Sequence, residues 1–224
     1  MADRTRTMTA PLGLTLTVVP GATPGDSTLV VLHGSDGRET DLLPFAARVD
    51  PAGACIALRG AVRTELGHAF FDRRPDRTFD DDAVSARIAP LVDAIELGQQ
   101  TVGRARHTTV LGFSNGAVMA AALLERRPEL FTGGVLLRPQ APFRSSPRRS
   151  ELALPVLVID GRLDARRSTE DGARTAERLR RAGAGVEHVT LGVGHGITDE
   201  DERAVRDWLR NRQPAAPGGA PRAS

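Results

Sequence analysis

The sequence predicts a doubly wound α/β fold: a mostly parallel sheet with helices on both faces. Three observations carry this expectation. Short apolar runs recur along the 224 residues. Most are continuous rather than alternating and stop at Gly or Pro, the pattern of strands buried on both faces. Segments with helical spacing separate them, and strand–helix alternation over a whole chain implies a layered α/β sandwich.

The elements follow in order. Residues 1–10 are polar and read as a flexible N-terminus, 11–212 as a single domain, and 213–224 ("QPAAPGGAPRAS") as a disordered tail of Pro, Gly and Ala without periodicity. Leu14–Val19 ("LTLTVV") reads as an edge strand. "TLVVLHG", "ACIALRG", "TVLGF", "GGVLLRP", "PVLVIDG" and "VEHVTLG" read as buried strands. Helices are expected in "DLLPFAARV", in the long stretch "DDAVSARIAPLVDAIELGQQTV", which Pro90 should bend or divide, and in "GAVMAAALLERR". Two more, "STEDGARTAERLRRAG" and "DEDERAVRDWLRNR", open acidic and close basic, as the helix dipole favours. Trp208 and Leu209 read as core contacts. No connection is long enough for a cap domain.

Composition bounds the function. With 40% hydrophobic and 26% charged residues the chain should fold. All 30 basic residues are Arg, which raises the isoelectric point although the net charge is only +2. The arginines are scattered and lack interleaved aromatics, which argues against nucleic acid as a partner. No apolar run reaches the roughly 18 residues that span a bilayer, so no membrane insertion is expected. The N-terminus has no apolar secretory stretch, and a cytoplasmic location follows as the expectation. Cys55, the single cysteine, lies in "ACIAL" and reads as a small core residue. No Cys/His cluster suggests a metal, and no cofactor is expected. A small-molecule substrate is expected, and a homodimer stays open.

Ligands of such sheets bind where the strands end. After "TVLGF" comes Gly112-x-Ser114-x-Gly116, then a helix. By chance this motif falls in about one such chain in ten, but strand before and helix after are the setting of a nucleophile on a sharp turn. A serine capping the helix would want the same position. Of five histidines, His195 in "GVGHGITDE" is the best placed base, past the last apolar run and between two glycines. In "PVLVIDGRLDARRS", Asp160 beside Gly161 reads as a turn former, whereas Asp164 can point back and orient the imidazole. The order Ser114, Asp164, His195 is that of α/β-hydrolases. The backbone N–H groups of Asn115 and Ser35 are the oxyanion-hole candidates. His33, Phe70, Phe71 and Phe143 are candidates for the substrate pocket. The aromatics of the loop "RTELGHAFFDRRPDRTF" could equally serve only to anchor it, with Arg73 and Arg74 near the entrance.

"VVLHGSDGRETDLLPFAARVDP", "GFSNGAVMAAALL", "VLLRPQAPF", "VLVIDGRLD" and "GVGHGITDEDERAVRDWL" together resemble the phospholipase/carboxylesterase family of small α/β-hydrolases, in particular its bacterial hydroquinone-responsive carboxylesterase branch. The resemblance covers roughly Leu29 to Leu209. It implies a cap-less hydrolase with Ser114, Asp164 and His195 as catalytic triad and Ser35 and Asn115 as oxyanion donors. Two departures stand out: Asp36 replaces a glycine of the "HGxGG" turn, and Arg167-Ser168 stands where the family often has Val-Pro. The implied activity is a serine carboxylesterase acting on short- to medium-chain esters. A thioesterase or lysophospholipase-like acyl hydrolase is the alternative, and a non-catalytic binding protein on the same fold is the rival from another class.

Overall fold

The computed structural model describes residues 5–145 and 153–212. In chain order the strands are β1 (Arg6–Thr9), β2 (Thr15–Val19), β3 (Ser27–Leu32), β4 (Ala54–Leu58), β5 (Val62–Arg63), β6 (His68–Ala69), β7 (His107–Phe113), β8 (Gly133–Leu137), β9 (Pro155–Gly161) and β10 (Gly185–Leu191). The helices are α1 (Leu43–Val49), α2 (Asp81–Ser85), α3 (Ile88–Val102), α4 (Asn115–Arg126), α5 (Thr169–Arg181) and α6 (Asp199–Arg210). Eight strands form one sheet in the order β1-β2-β4-β3-β7-β8-β9-β10, and β5-β6 is a separate ribbon. β1–β2 and β2–β4 pair antiparallel, and the other five pairings of the main sheet are parallel.

The continuous apolar runs are explained by two-sided burial. Successive strand side chains point to opposite faces. In β3, Val30 and Leu32 pack into one core with α3, α4 and α5, while Leu29 and Val31 pack into the other with α1 and α6. In β9, Val156 and Val158 join the first core, and Leu157 and Ile159 the second. Cys55, Trp208 and Leu209 belong to the second core, as the sequence suggests. α4 is buried from Asn115 through Leu124, so its apolar character all round is that of a central helix.

Three differences from the sequence reading concern local structure. Arg6–Thr9 lies in the stretch expected to be flexible, yet it pairs with β2 and becomes the sheet edge. Leu14–Val19 is therefore not an edge: β2 sits between β1 and β4. The long helical stretch divides at Ala86–Arg87, and Pro90 falls in the first turn of α3, where its missing N–H breaks no helical bond. The tail 213–224 lies outside the described residues. Among the described residues no helix is long and apolar enough to cross a membrane.

Candidate active site

The parallel strands β3, β7 and β9 and the edge strand β10 end on the same side of the sheet, and the site lies there. Ser114 joins β7 to α4 with φ 53° and ψ −106°, a left-handed backbone held by the turn. The flanking glycines are required by close approach. A Cβ on Gly112 would overlap the Gly116 carbonyl oxygen, and one on Gly116 would overlap the Leu32 carbonyl oxygen. The Ser114 N–H donates to Leu137 O of β8 at 2.9 Å, fixing the turn against the next strand. Ser114 is not a side-chain cap of α4, so its hydroxyl is free for other partners.

Those partners come from two later loops. His195 Nε2 lies 3.0 Å from Ser114 Oγ, and His195 Nδ1 lies 2.7 Å from Asp164 Oδ2. Asp164 Oδ1 accepts from the backbone N–H groups of Arg166 (2.7 Å) and Arg167 (3.1 Å), which orient the carboxylate toward the ring. With Nδ1–H donated to Asp164, Nε2 carries the lone pair that faces the serine. Burial lowers the His195 pKa. The Asp164 bond and charge oppose that shift, and the nearby Arg167 and Arg166 charges reinforce it. The ring also packs on Phe113, with centroids 5.3 Å apart.

The structure brings Ser114, His195 and Ser35 together on one cleft of about 200 Å³, which Phe113 also lines, with Asp164 behind His195. Asp36 adopts φ 63°, so the residue standing where the family has glycine takes the left-handed conformation a glycine would. The four pocket candidates lie elsewhere. His33 is buried. Its Nδ1 pairs with Gly34 O at 2.6 Å and its Nε2 accepts from the Gly60 N–H at 3.0 Å. Both ring nitrogens are thus used structurally, and burial lowers its pKa. Phe70 and Phe71 are core residues, each 1% exposed. The Asn115 side chain holds them: Oδ1 accepts from Phe70 N (2.8 Å) and Nδ2 donates to Phe71 O (3.3 Å). Phe143 lies under the Arg126 and Arg178 guanidinium groups, beside a different groove along α5. The aromatic loop is anchored by its rings rather than opened to substrate by them.

Asp160 is a second correction. It is not a turn residue but a buried strand carboxylate, paired with His188 of β10 at 2.6 Å. Burial raises its pKa, and the His188 bond acts against the rise.

Sequence reasoning missed Arg138 and the contact of Arg167 with the serine, whereas it expected Arg73 and Arg74 near the entrance. Arg138 follows β8 with φ 54° and is fully buried. It makes a bidentate pair with Asp201 of α6 at 2.7 and 2.9 Å and donates to Gly194 O (3.1 Å) and Gly196 O (3.2 Å), the carbonyls either side of His195. Arg167 Nη2 donates to Ser114 Oγ at 3.1 Å and its Nε to Arg138 O at 3.1 Å. Arg73 lines the cleft, whereas its neighbour Arg74 turns away to pair with Asp80 at 2.6 Å. Arg138 had a readable signal, since it directly follows an apolar run at a strand end.

No protein-family model matches the chain. It is 30% identical over 187 residues to "Putative hydrolase MhqD" of Bacillus subtilis (strain 168), covering 83% of this chain and 93% of that protein. Among solved structures it resembles a Bacillus cereus carboxylesterase (TM-score 0.82, 27% identity, 88% of this chain and 94% of that one). It also resembles a Mesorhizobium loti carboxylesterase (TM-score 0.84, 29% identity, 93% and 99%). The likeness extends over nearly the full length of each. The chain is a carboxylic ester hydrolase of the α/β-hydrolase fold and belongs to the phospholipase/carboxylesterase family.

Proposed function

We propose that the chain is a serine carboxylesterase in which Ser114 is the nucleophile, His195 the general base and acid, and Asp164 the residue that orients His195. The observation that carries this reading is the unbroken line Asp164 Oδ2–His195 Nδ1, 2.7 Å, and His195 Nε2–Ser114 Oγ, 3.0 Å, opening on one cleft. Both distances are within hydrogen-bond reach, and the second is the path of the Ser114 proton.

In the first step the Ser114 proton passes to His195 Nε2 as Oγ bonds to the acyl carbon. The alcohol leaves with that proton, and an acyl-serine remains. In the second step His195 takes a proton from water, the hydroxide adds to the acyl carbon, and the acid leaves as Ser114 regains its proton. The backbone N–H groups of Asn115 and Ser35 are assigned to the oxyanion. Asn115 is the first residue of α4, where the helix leaves its N–H groups without intrahelical acceptors. The open cleft without an inserted cap favours short- to medium-chain esters.

The test is a panel of alkyl esters of increasing acyl length on the wild type and Ser114→Ala. The variant is expected to lose about 10³-fold or more of kcat/KM on every ester while keeping its melting temperature. A folded Ser114→Ala protein with wild-type rates would remove Ser114 from the mechanism.

A further inference from the structure

Four of the side chains that line the cleft over Ser114 are arginines: Arg73 and Arg77 from the loop after β6, and Arg166 and Arg167 from the loop after β9. No carboxylate lines it. Among the described residues none of the four guanidinium groups forms an ion pair. The Asp164 charge that lies nearest in sequence is turned to His195.

The arrangement is built rather than incidental. Arg73 stacks on Phe71 and Phe79, with its guanidinium carbon 5.3 and 5.1 Å from the ring centroids. Its Nη1 donates to Gln140 Oε1 (2.7 Å) and Arg77 O (2.9 Å). Its Nη2 is buried with no acceptor. Arg77 holds a left-handed backbone, φ 65°, and its Nη1 donates to Arg166 O at 3.1 Å, tying the two loops together. Burial first, then the Arg167 and Arg77 charges, lowers the Arg73 pKa, and the Asp171 charge acts against them. Asp171 and Asp164 offset part of the Arg167 charge from a distance, but among the described residues no carboxylate pairs with any of the four. Like charges gathered without an ion-paired partner destabilise the fold, and such arrangements cluster at functional sites. An anion in the cleft would offset the repulsion. Guanidinium groups suit a carboxylate, which they bind as a planar fork.

We propose that the natural substrate is a small ester bearing a free carboxylate, bound by Arg73 and Arg167 with Arg77 and Arg166 at the rim. The proposal rests on Ser114 being the nucleophile. It names the substrate class of that site and leaves the chemistry unchanged, since the carboxylate only binds. The carboxylate can sit on the acyl side, as in a dicarboxylic acid half-ester, or on the alcohol side, as in an acylated hydroxy acid.

Two matched pairs distinguish these: monomethyl adipate against methyl hexanoate, and hexanoyl glycolate against ethyl hexanoate. At low salt one charged ester or both should exceed its neutral partner about tenfold or more in kcat/KM. The charged-to-neutral ratio should fall toward one in Arg73→Gln, and in Arg77→Gln/Arg166→Gln, whose exposed side chains can change without unfolding the chain. A ratio near one for both pairs in the wild type, or a ratio untouched in both folded variants, overturns the proposal. Calorimetric binding of both matched pairs to Ser114→Ala separates this from the catalytic reading. About tenfold tighter binding of the charged ester in the pair that shows the rate preference supports the arginine site, and equal binding within both pairs overturns it. Ser114-dependent hydrolysis without charge preference would leave the triad standing and remove the arginine site alone.

Discussion

Ser114 is strained because its position requires it. A non-glycine residue at φ 53° and ψ −106° is disfavoured by about 1–3 kcal/mol, and the elbow holds it there so that Oγ faces His195. Ser114→Gly should therefore raise unfolding stability by about 1 kcal/mol in a denaturant titration while abolishing ester hydrolysis. A loss of stability would show that the turn is not strained. In the proposed mechanism the pH dependence follows from His195. Only the neutral ring can accept the Ser114 proton, and burial lowers its pKa below the usual 6.5. The neutral fraction grows as pH rises through that lowered pKa, so kcat/KM should climb to a plateau with a midpoint below 6.5. A midpoint above that value would contradict the direction of the shift. Ser114, Asp164 and His195 stood out as candidates in the sequence because each follows an apolar run and two sit among glycines, and the structure places them at hydrogen-bond distance. Asp160 was misread because Asp-Gly is a turn signal locally. Its true partner, His188, is 28 residues away, across a strand pairing that the local sequence does not announce.

The decisive contacts between elements are made by Arg138, which ties the end of β8 to α6 and to the His195 loop. Arg138 and Asp201 are both fully buried, so removing one leaves the other charge without its partner. Arg138→Met alone is expected to destabilise the fold by about 3–5 kcal/mol. The double variant Arg138→Met/Asp201→Leu should recover part of that loss but not the rate, because the Gly194 and Gly196 carbonyls still lack their donor. Thermal melts and kcat measured together check this. Full recovery of both would make the pair a packing feature with no bearing on His195. The "LLRP" segment was visible as part of a family resemblance, but Arg138's role depends on partners 56 and 63 residues away. The aromatic loop shows the same limit. Phe70 and Phe71 read equally as pocket or anchor until the Asn115 side chain, bonded to both their backbones, ties them to the elbow.

The molecule as a whole is a sheet buried on both faces, and that was legible because two-sided burial writes continuous apolar runs. β1 was not, because an edge strand needs no apolar run: Arg6–Thr9 is polar and mostly exposed, and only its pairing with β2 makes it a strand. The buried sheet leads to a probe of global opening. Cys55 lies inside it, and burial pushes its thiol up to about 12. A thiol reagent should therefore label Cys55 only as fast as the whole domain unfolds, with the labelling rate following denaturant-induced unfolding. Rapid labelling in native buffer would mean that the β4 region opens on its own. The central claim, that this fold exists to present Ser114 to His195, is tested most directly by treating the chain with an alkyl fluorophosphonate and locating the adduct by peptide mass spectrometry. One adduct on Ser114 is expected, absent from Ser114→Ala and formed far more slowly in His195→Gln. An unmodified Ser114 in the folded wild-type chain, or an equal rate in His195→Gln, would contradict it.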